Sequence, residues 1–155
     1  MKYVLDMYEN VEYWIEINDT GNALRQIIIG NNDIQISCKT DCLAEGIIEL
    51  EDLEGDIKLL DSNCFEKKWK SIINNFEASW GEQKSQYSIG QYVRGRIKYF
   101  YPQGVILQID KVQGICDYEE LKIWNENTIL QPGQIVKGIV SGYDETNMWI
   151  KVRLM

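Results

Sequence analysis

The sequence has no histidine among its 155 residues. The side chain that most readily moves protons near neutral pH is therefore missing. Ser-His-Asp and Cys-His nucleophile pairs are excluded with it. No run of about 18 apolar residues exists that could span a bilayer. The opening text MKYVLDMYENVEYWIEI alternates apolar and acidic residues and lacks a basic segment leading into an apolar one. No secretory signal and a cytoplasmic location are expected.

Cysteine is scarce, at four. Cys38 and Cys42 are close together, but Cys64 and Cys116 stand alone and no histidine can complete a ligand set. Buried thiols are expected rather than a metal site. No glycine-rich phosphate cradle occurs either. Glu119 and Glu120 are adjacent and point in different directions, so they suggest no acid–base dyad. The expectation is a non-catalytic protein without a cofactor.

Positive charge is in deficit and unevenly placed. The chain carries 16 Lys and Arg against 24 Asp and Glu, a net charge of -8. Residues 1–87 hold 8 cations and 17 acids, whereas residues 88–155 hold 8 and 7. The first part should repel nucleic acid, and the second is close to neutral with local basic patches.

The two parts also differ in pattern. Segments Lys2–Tyr8, Glu12–Asn18 and Ala23–Ile29 are rich in Val, Ile, Tyr and Trp and predict strands. Asp19-Thr20-Gly21-Asn22 and Gly30-Asn31-Asn32-Asp33 read as turns, the second leading into a short strand Ile34–Cys38. Together they predict an antiparallel meander. Residues 39–60 are acidic and yield no element, with Ile47, Ile48, Leu50 and Leu53 as expected apolar anchors. A helix follows. Asp61-Ser62-Asn63 supplies N-cap oxygens, with Glu66 placed as in a capping box from Asn63. Phe65, Trp69, Ile72, Ile73, Phe76 and Trp80 fall on one helical face, which predicts packing against the meander. Gly81 is expected to end the helix. Residues 1–81 are thus read as an acidic α+β domain and 82–87 as a polar linker.

Arg25 is a cation on an apolar strand. It is expected to pair with Glu16 or a neighbouring acid, the other reading being a guanidinium that anchors a ligand or partner.

From Ser88 the strands become short and glycine-punctuated: Gln91–Phe100, Gly104–Asp110, Val112–Cys116, Gln134–Gly142 and Met148–Leu154. Five such strands suggest a small barrel over 88–155. Tyr118–Leu121 predicts a helical turn between the third and fourth. Gly95 and Gly138 interrupt strands where a small barrel must bend or its walls approach. Arg94, Arg96 and Lys98 alternate with Val93 and Ile97, which predicts cations on one face and apolar groups inside. Lys151 and Arg153 repeat this on the last strand, with Trp149 in line. Tyr99, Phe100 and Tyr101 are expected in the loop between the first two strands, beside these cations. Basic residues interleaved with aromatics suit single-stranded nucleic acid. The plainer reading of the same cations is a solvated barrel exterior, with the cations paired to acids of the first part.

The text Gly90-Gln91-x-Val93-x-Gly95-x-Ile97, Gly104-Val105-x-Leu107 and Gln113-Gly114-Ile115-Cys116-Asp117 resembles the S-one-type RNA-binding domain, an OB-fold. So do Pro132-Gly133-Gln134-x-Val136-x-Gly138-x-Val140, Asp144 and Trp149-Ile150-Lys151-Val152-Arg153-Leu154. The resemblance covers most of 88–155 and implies a non-catalytic RNA-binding module. It also implies which positions would meet RNA. Gln103 and Ile106 stand where that family carries stacking aromatics. Asp117 stands where it often has a histidine, and Asp144 matches an acidic position between strands four and five. The family's basic residue falls near Met148. The expected partner is single-stranded RNA, bound weakly through Arg94, Arg96, Lys98, Tyr99, Phe100, Tyr101, Ile106, Asp117, Asp144 and Lys151.

The first part resembles a family of small uncharacterised bacterial α+β domains, on Tyr13-Trp14-Ile15-Glu16-Ile17-Asn18, Ala23-Leu24-Arg25-Gln26-Ile27 and Phe65-Glu66-x-x-Trp69. Some such domains look like immunity or adaptor proteins for toxins. That resemblance implies a second kind of partner, a basic protein masked by an acidic surface.

Overall fold

Residues 1–126 and 129–155 are described in the computed structural model. The chain divides into two units, Met1–Asn75 and Phe76–Met155, each built on its own sheet.

The first unit contains β1 (Lys2–Tyr8), β2 (Val11–Ile17), β3 (Ala23–Ile29), β4 (Ile34–Ile36) and β5 (Asp56–Leu60) in the order β4-β3-β2-β1-β5. Every pairing is antiparallel. Glu9 and Asn10 link β1 to β2 with φ of 49° and 65°, as a two-residue hairpin of right-handed twist demands. The meander is as the pattern predicts, with β4 two residues shorter than expected. β5 falls in the acidic stretch that predicted no element. It is an edge strand against β1, and Leu59 on it is 66% exposed. An edge strand needs no apolar alternation, so periodicity could not reveal it. Ile47, expected as an anchor, is instead 68% exposed.

Helix α1 (Ser62–Ile73) covers the sheet and buries Phe65, Trp69, Ile72 and Ile73. Its N-cap is Asp61, whose carboxylate accepts a hydrogen bond from the Cys64 amide at 2.7 Å. The capping box expected between Asn63 and Glu66 does not form, because the helix starts two residues earlier and Glu66 turns to the sheet. There the register aligns Tyr3, Glu16 and Arg25 across β1, β2 and β3. Arg25 donates to Glu16 through Nε at 2.5 Å and Nη2 at 3.0 Å, and it also donates to Glu66. Its guanidinium lies 5.0 Å from the ring centroids of both Phe65 and Trp69. Burial works against its charge, but the hydrogen bonds to Glu16 and Glu66 outweigh burial and hold it protonated. The same bond from Arg25 holds the Glu66 carboxyl below its ordinary pKa. The cation on the apolar strand is thus the centre of an ion-pair triad, buried at Arg25 and Glu16 and half-buried at Glu66.

The helix expected to run on through Trp80 breaks. A 3-10 turn spans Asn74–Phe76, and α2 (Glu77–Gln86) belongs to the second unit. Gly81 lies inside α2 rather than ending a helix, and the expected linker is largely helical. A 3-10 turn advances three residues per turn against 3.6, so side-chain spacing alone cannot expose the break. Trp80 donates its indole N–H to Glu145 at 2.7 Å and meets Tyr143 edge to face at 6.1 Å. Lys84 adds an ion pair to Glu145, and the Tyr143 hydroxyl donates to the Tyr87 carbonyl at 2.8 Å.

The second unit continues with β6 (Tyr92–Tyr101), β7 (Gly104–Ile109), β8 (Val112–Cys116), α3 (Tyr118–Trp124), β9 (Ile135–Asp144) and β10 (Trp149–Leu154). The five strands close into a barrel in the order β10-β8-β7-β6-β9. β8 and β10 run parallel and the other pairs antiparallel. Ile97, Leu107, Val112, Val136, Val140, Ile150 and Val152 are buried. A Cβ on Gly138 would sit 2.4 Å from the Arg153 carbonyl oxygen, and one on Gly114 would sit 2.7 Å from Ile109. Glycine is required at both because the barrel walls approach there. Helix α3 runs one turn longer than expected and buries Leu121. Among the described residues no helix is long and apolar enough to cross a membrane.

Candidate nucleic-acid interface

Strand β6 alternates as its sequence predicts, and the alternation runs unbroken from Arg94 to Tyr101. Arg94 and Arg96 are exposed, whereas Gly95 and Ile97 are buried. The register then adds what periodicity cannot supply. Arg94 faces Lys137 of β9 directly, Tyr92 faces Ile139, and Ile139 faces Arg153 of β10. Cross-strand partners share a face of the sheet. The exposed cations Arg94, Arg96, Lys137 and Arg153 therefore lie on three neighbouring strands, with Lys151 also exposed on β10. Tyr92, 73% exposed, is the aromatic among them. Among the described residues no carboxylate pairs with Arg94, Lys137, Lys151 or Arg153. Arg96 donates one hydrogen bond, to the Gly133 carbonyl at 3.3 Å.

At Lys98 the β6–β7 register steps by one residue: Ile97 pairs with Leu107, but Tyr99 pairs with Ile106 and Phe100 with Val105. The bulge shifts the pairing with β7 by one residue, while Lys98 and Phe100 stay on the exposed side of β6 with Arg94 and Arg96. The Lys98 ammonium lies 5.7 Å from the Tyr99 ring centroid. Tyr99–Tyr101, expected in a loop, form the end of β6, and the alternation of that strand sets their exposure. Tyr99 and Tyr101 are buried, at 8% and 9% exposure, and Ile106 is fully buried. These three positions do not offer open surfaces for stacking. Tyr99 packs 4.8 Å from Tyr101 and accepts a hydrogen bond from Gln113, while Tyr101 lies 6.2 Å from Trp149. Trp149, in line with Lys151 and Arg153, is likewise buried. Phe100 remains 39% exposed.

The two acids serve local structure. Asp117 is the N-cap of α3 and accepts from the Glu120 amide at 2.8 Å. Asp144 accepts from both the amide and the side chain of Asn147, each at 3.0 Å, and so holds the turn in which Met148 adopts φ of 56°. Burial, with Glu120 and Asp117 close by, pushes the Cys116 thiol up to about 12, which keeps it protonated near neutral pH.

Of the expected site residues, Arg94, Arg96 and Lys151 are exposed on neighbouring strands, Lys98 and Phe100 follow on β6, Tyr99, Tyr101 and Ile106 are buried, Asp117 caps α3 and Asp144 holds a turn. Lys137 and Tyr92 were missed. Lys137 is an isolated cation between Val136 and Gly138, and only the register reveals its neighbour. No protein-family model matches the chain, and no curated protein matches it.

Proposed function

We propose that this protein is a non-catalytic module that binds single-stranded RNA weakly on the exterior of the barrel, across β6, β9 and β10. The strand order and the parallel β8–β10 pair support reading the barrel as an OB-fold, in keeping with the resemblance to the S-one-type domain. The Arg94–Lys137 pair carries the reading. Like charges directly opposite on a sheet are destabilising, and the exposed Arg96, Lys151 and Arg153 add to the same field. A row of phosphates relieves that repulsion and releases counterions as it binds. The overall charge of -8 keeps the affinity low.

Fluorescence anisotropy with a mixed-sequence RNA oligomer tests the proposal. Binding should fall steeply between about 50 and 200 mM salt, with a log–log slope of roughly -0.7 per phosphate contacted. Flat titrations at 50 mM salt would remove it.

A further inference from the structure

A groove of about 560 Å³ lies between the end of β6 and α3, lined by Phe100, Tyr118, Lys122, Asn125, Glu126, Ile129 and Leu130. Its size falls within the range of small-ligand sites. Phe100 and Tyr118 meet edge to face at 6.2 Å and are 39% and 44% exposed, so aromatic surface stays open at the groove. Polar groups stand among the apolar walls: the Asn125 amide can donate and accept, Glu126 can accept, and Lys122 can donate.

From this we infer that the groove is a nucleobase pocket, in which one unstacked base of the bound strand packs on Phe100 and Tyr118. The inference rests on the reading of the barrel as a single-strand binder. Three features favour this occupant. Aromatic rings flanking a hydrogen-bonding amide and carboxylate suit a planar base, whose edge carries both donors and acceptors. Phe100 also lies on the same exposed side of β6 as Arg94, Arg96 and Lys98. Lys98 precedes Phe100 by two residues, roughly 7 Å along the strand, and Arg96 precedes it by four. A strand whose phosphates follow Arg94 and Arg96 therefore reaches the groove with its next bases. Lys122, in only a long 3.9 Å contact with Glu119, adds positive charge at the rim.

The test compares two probes on the full chain: a single-stranded RNA oligomer, and an abasic phosphodiester strand of equal length. Tyr118→Ala should weaken the oligomer by about 5- to 100-fold, the loss typical of one stacked base. The abasic strand should bind the variant as it binds the parent. Tyr118→Phe, which keeps the ring, should stay within about twofold of the parent on both probes, following the same stacking logic. If Tyr118→Ala binds the oligomer like the parent, or loses both probes equally, the pocket is refuted while the basic face stands. If the parent binds neither probe, both readings fall together. A dimer of the parent that Tyr118→Ala dissolves would assign the groove to a second copy of the chain and likewise overturn the pocket.

Discussion

Arg94 of β6 and Lys137 of β9 stand directly opposite each other on the barrel. Two cations at one rung of an antiparallel pair cost stability, by roughly 0.2–1 kcal/mol relative to a neutral pair. Both are exposed, so water and salt screen the repulsion, and the lower part of that range applies.

Lys137→Glu converts this rung to an ion pair. Stability in urea should rise by a few tenths of a kcal/mol at low salt, while RNA affinity falls and the salt slope shrinks by about one contact. A loss of stability together with unchanged RNA binding would show that the rung serves the fold alone.

Arg25 predicts the opposite behaviour. Arg25→Met leaves Glu16 buried and unpaired, and should destabilise the first unit by about 3–5 kcal/mol in chemical denaturation. Arg25→Lys keeps the charge but loses the fork that serves Glu16 and Glu66, so an intermediate loss is expected. Replacing both Arg25 and Glu16 with apolar residues should recover much of the loss, since the uncompensated charge is gone.

Two carboxyls should move stability with pH in opposite directions. Glu66 has its pKa lowered by the hydrogen bond from Arg25. Its stabilisation is complete above the ordinary value of 4.5 and is lost as pH falls through the folded value. Asp6 is buried, at 6% exposure, and its Oδ1 has no hydrogen-bond partner among the described residues. Burial raises its pKa, and Asp56 and Glu54 add to the rise against a backbone bond from Gly55. Asp6 therefore costs nothing in strong acid and destabilises increasingly as pH climbs above the ordinary 3.8. Asp6→Asn should raise the melting temperature at pH 7 and have no such effect near pH 3. Glu66→Gln should lower it at pH 7, and the two profiles should converge in acid.

Two glycines on β9 separate by their surroundings. Gly138→Ala forces a methyl group to within 2.4 Å of the Arg153 carbonyl oxygen, on backbone that cannot yield cheaply. A loss of about 1–3 kcal/mol is expected, as for other overpacked sites. Gly142→Ala meets nothing nearer than 3.8 Å, the Lys151 side chain, and should fold like the parent. Thermal melts of both variants decide between barrel closure and strand propensity as the reason for the glycines.

The elements that periodicity alone could reveal are the ones with a buried face of regular spacing. The α1 stripe from Phe65 to Ile73 and the alternation from Arg94 to Tyr101 carry it, whereas Lys2–Tyr8 and Ala23–Ile29 bury three residues in a row and are legible from their β-branched and aromatic content. Composition also set the absence of histidine, the acidic bias of residues 1–87 and the spacing of the barrel glycines.

What required tertiary structure was every relation between segments distant in the chain. The break between α1 and α2 keeps the side-chain period while handing Trp80 to the barrel. The edge strand β5 has no face of its own to bury and is specified only by its partner β1. The bulge at Lys98 is a single-residue step in register, and it sets which residues of β7 Tyr99 and Phe100 meet. The basic face depends on pairing as well: Arg94 and Lys137 are 43 positions apart in the sequence, and the β6–β9 ladder makes them neighbours. Local propensity acts within a few residues, whereas charge and stacking act through space, so the candidate interface emerges only once the barrel has closed.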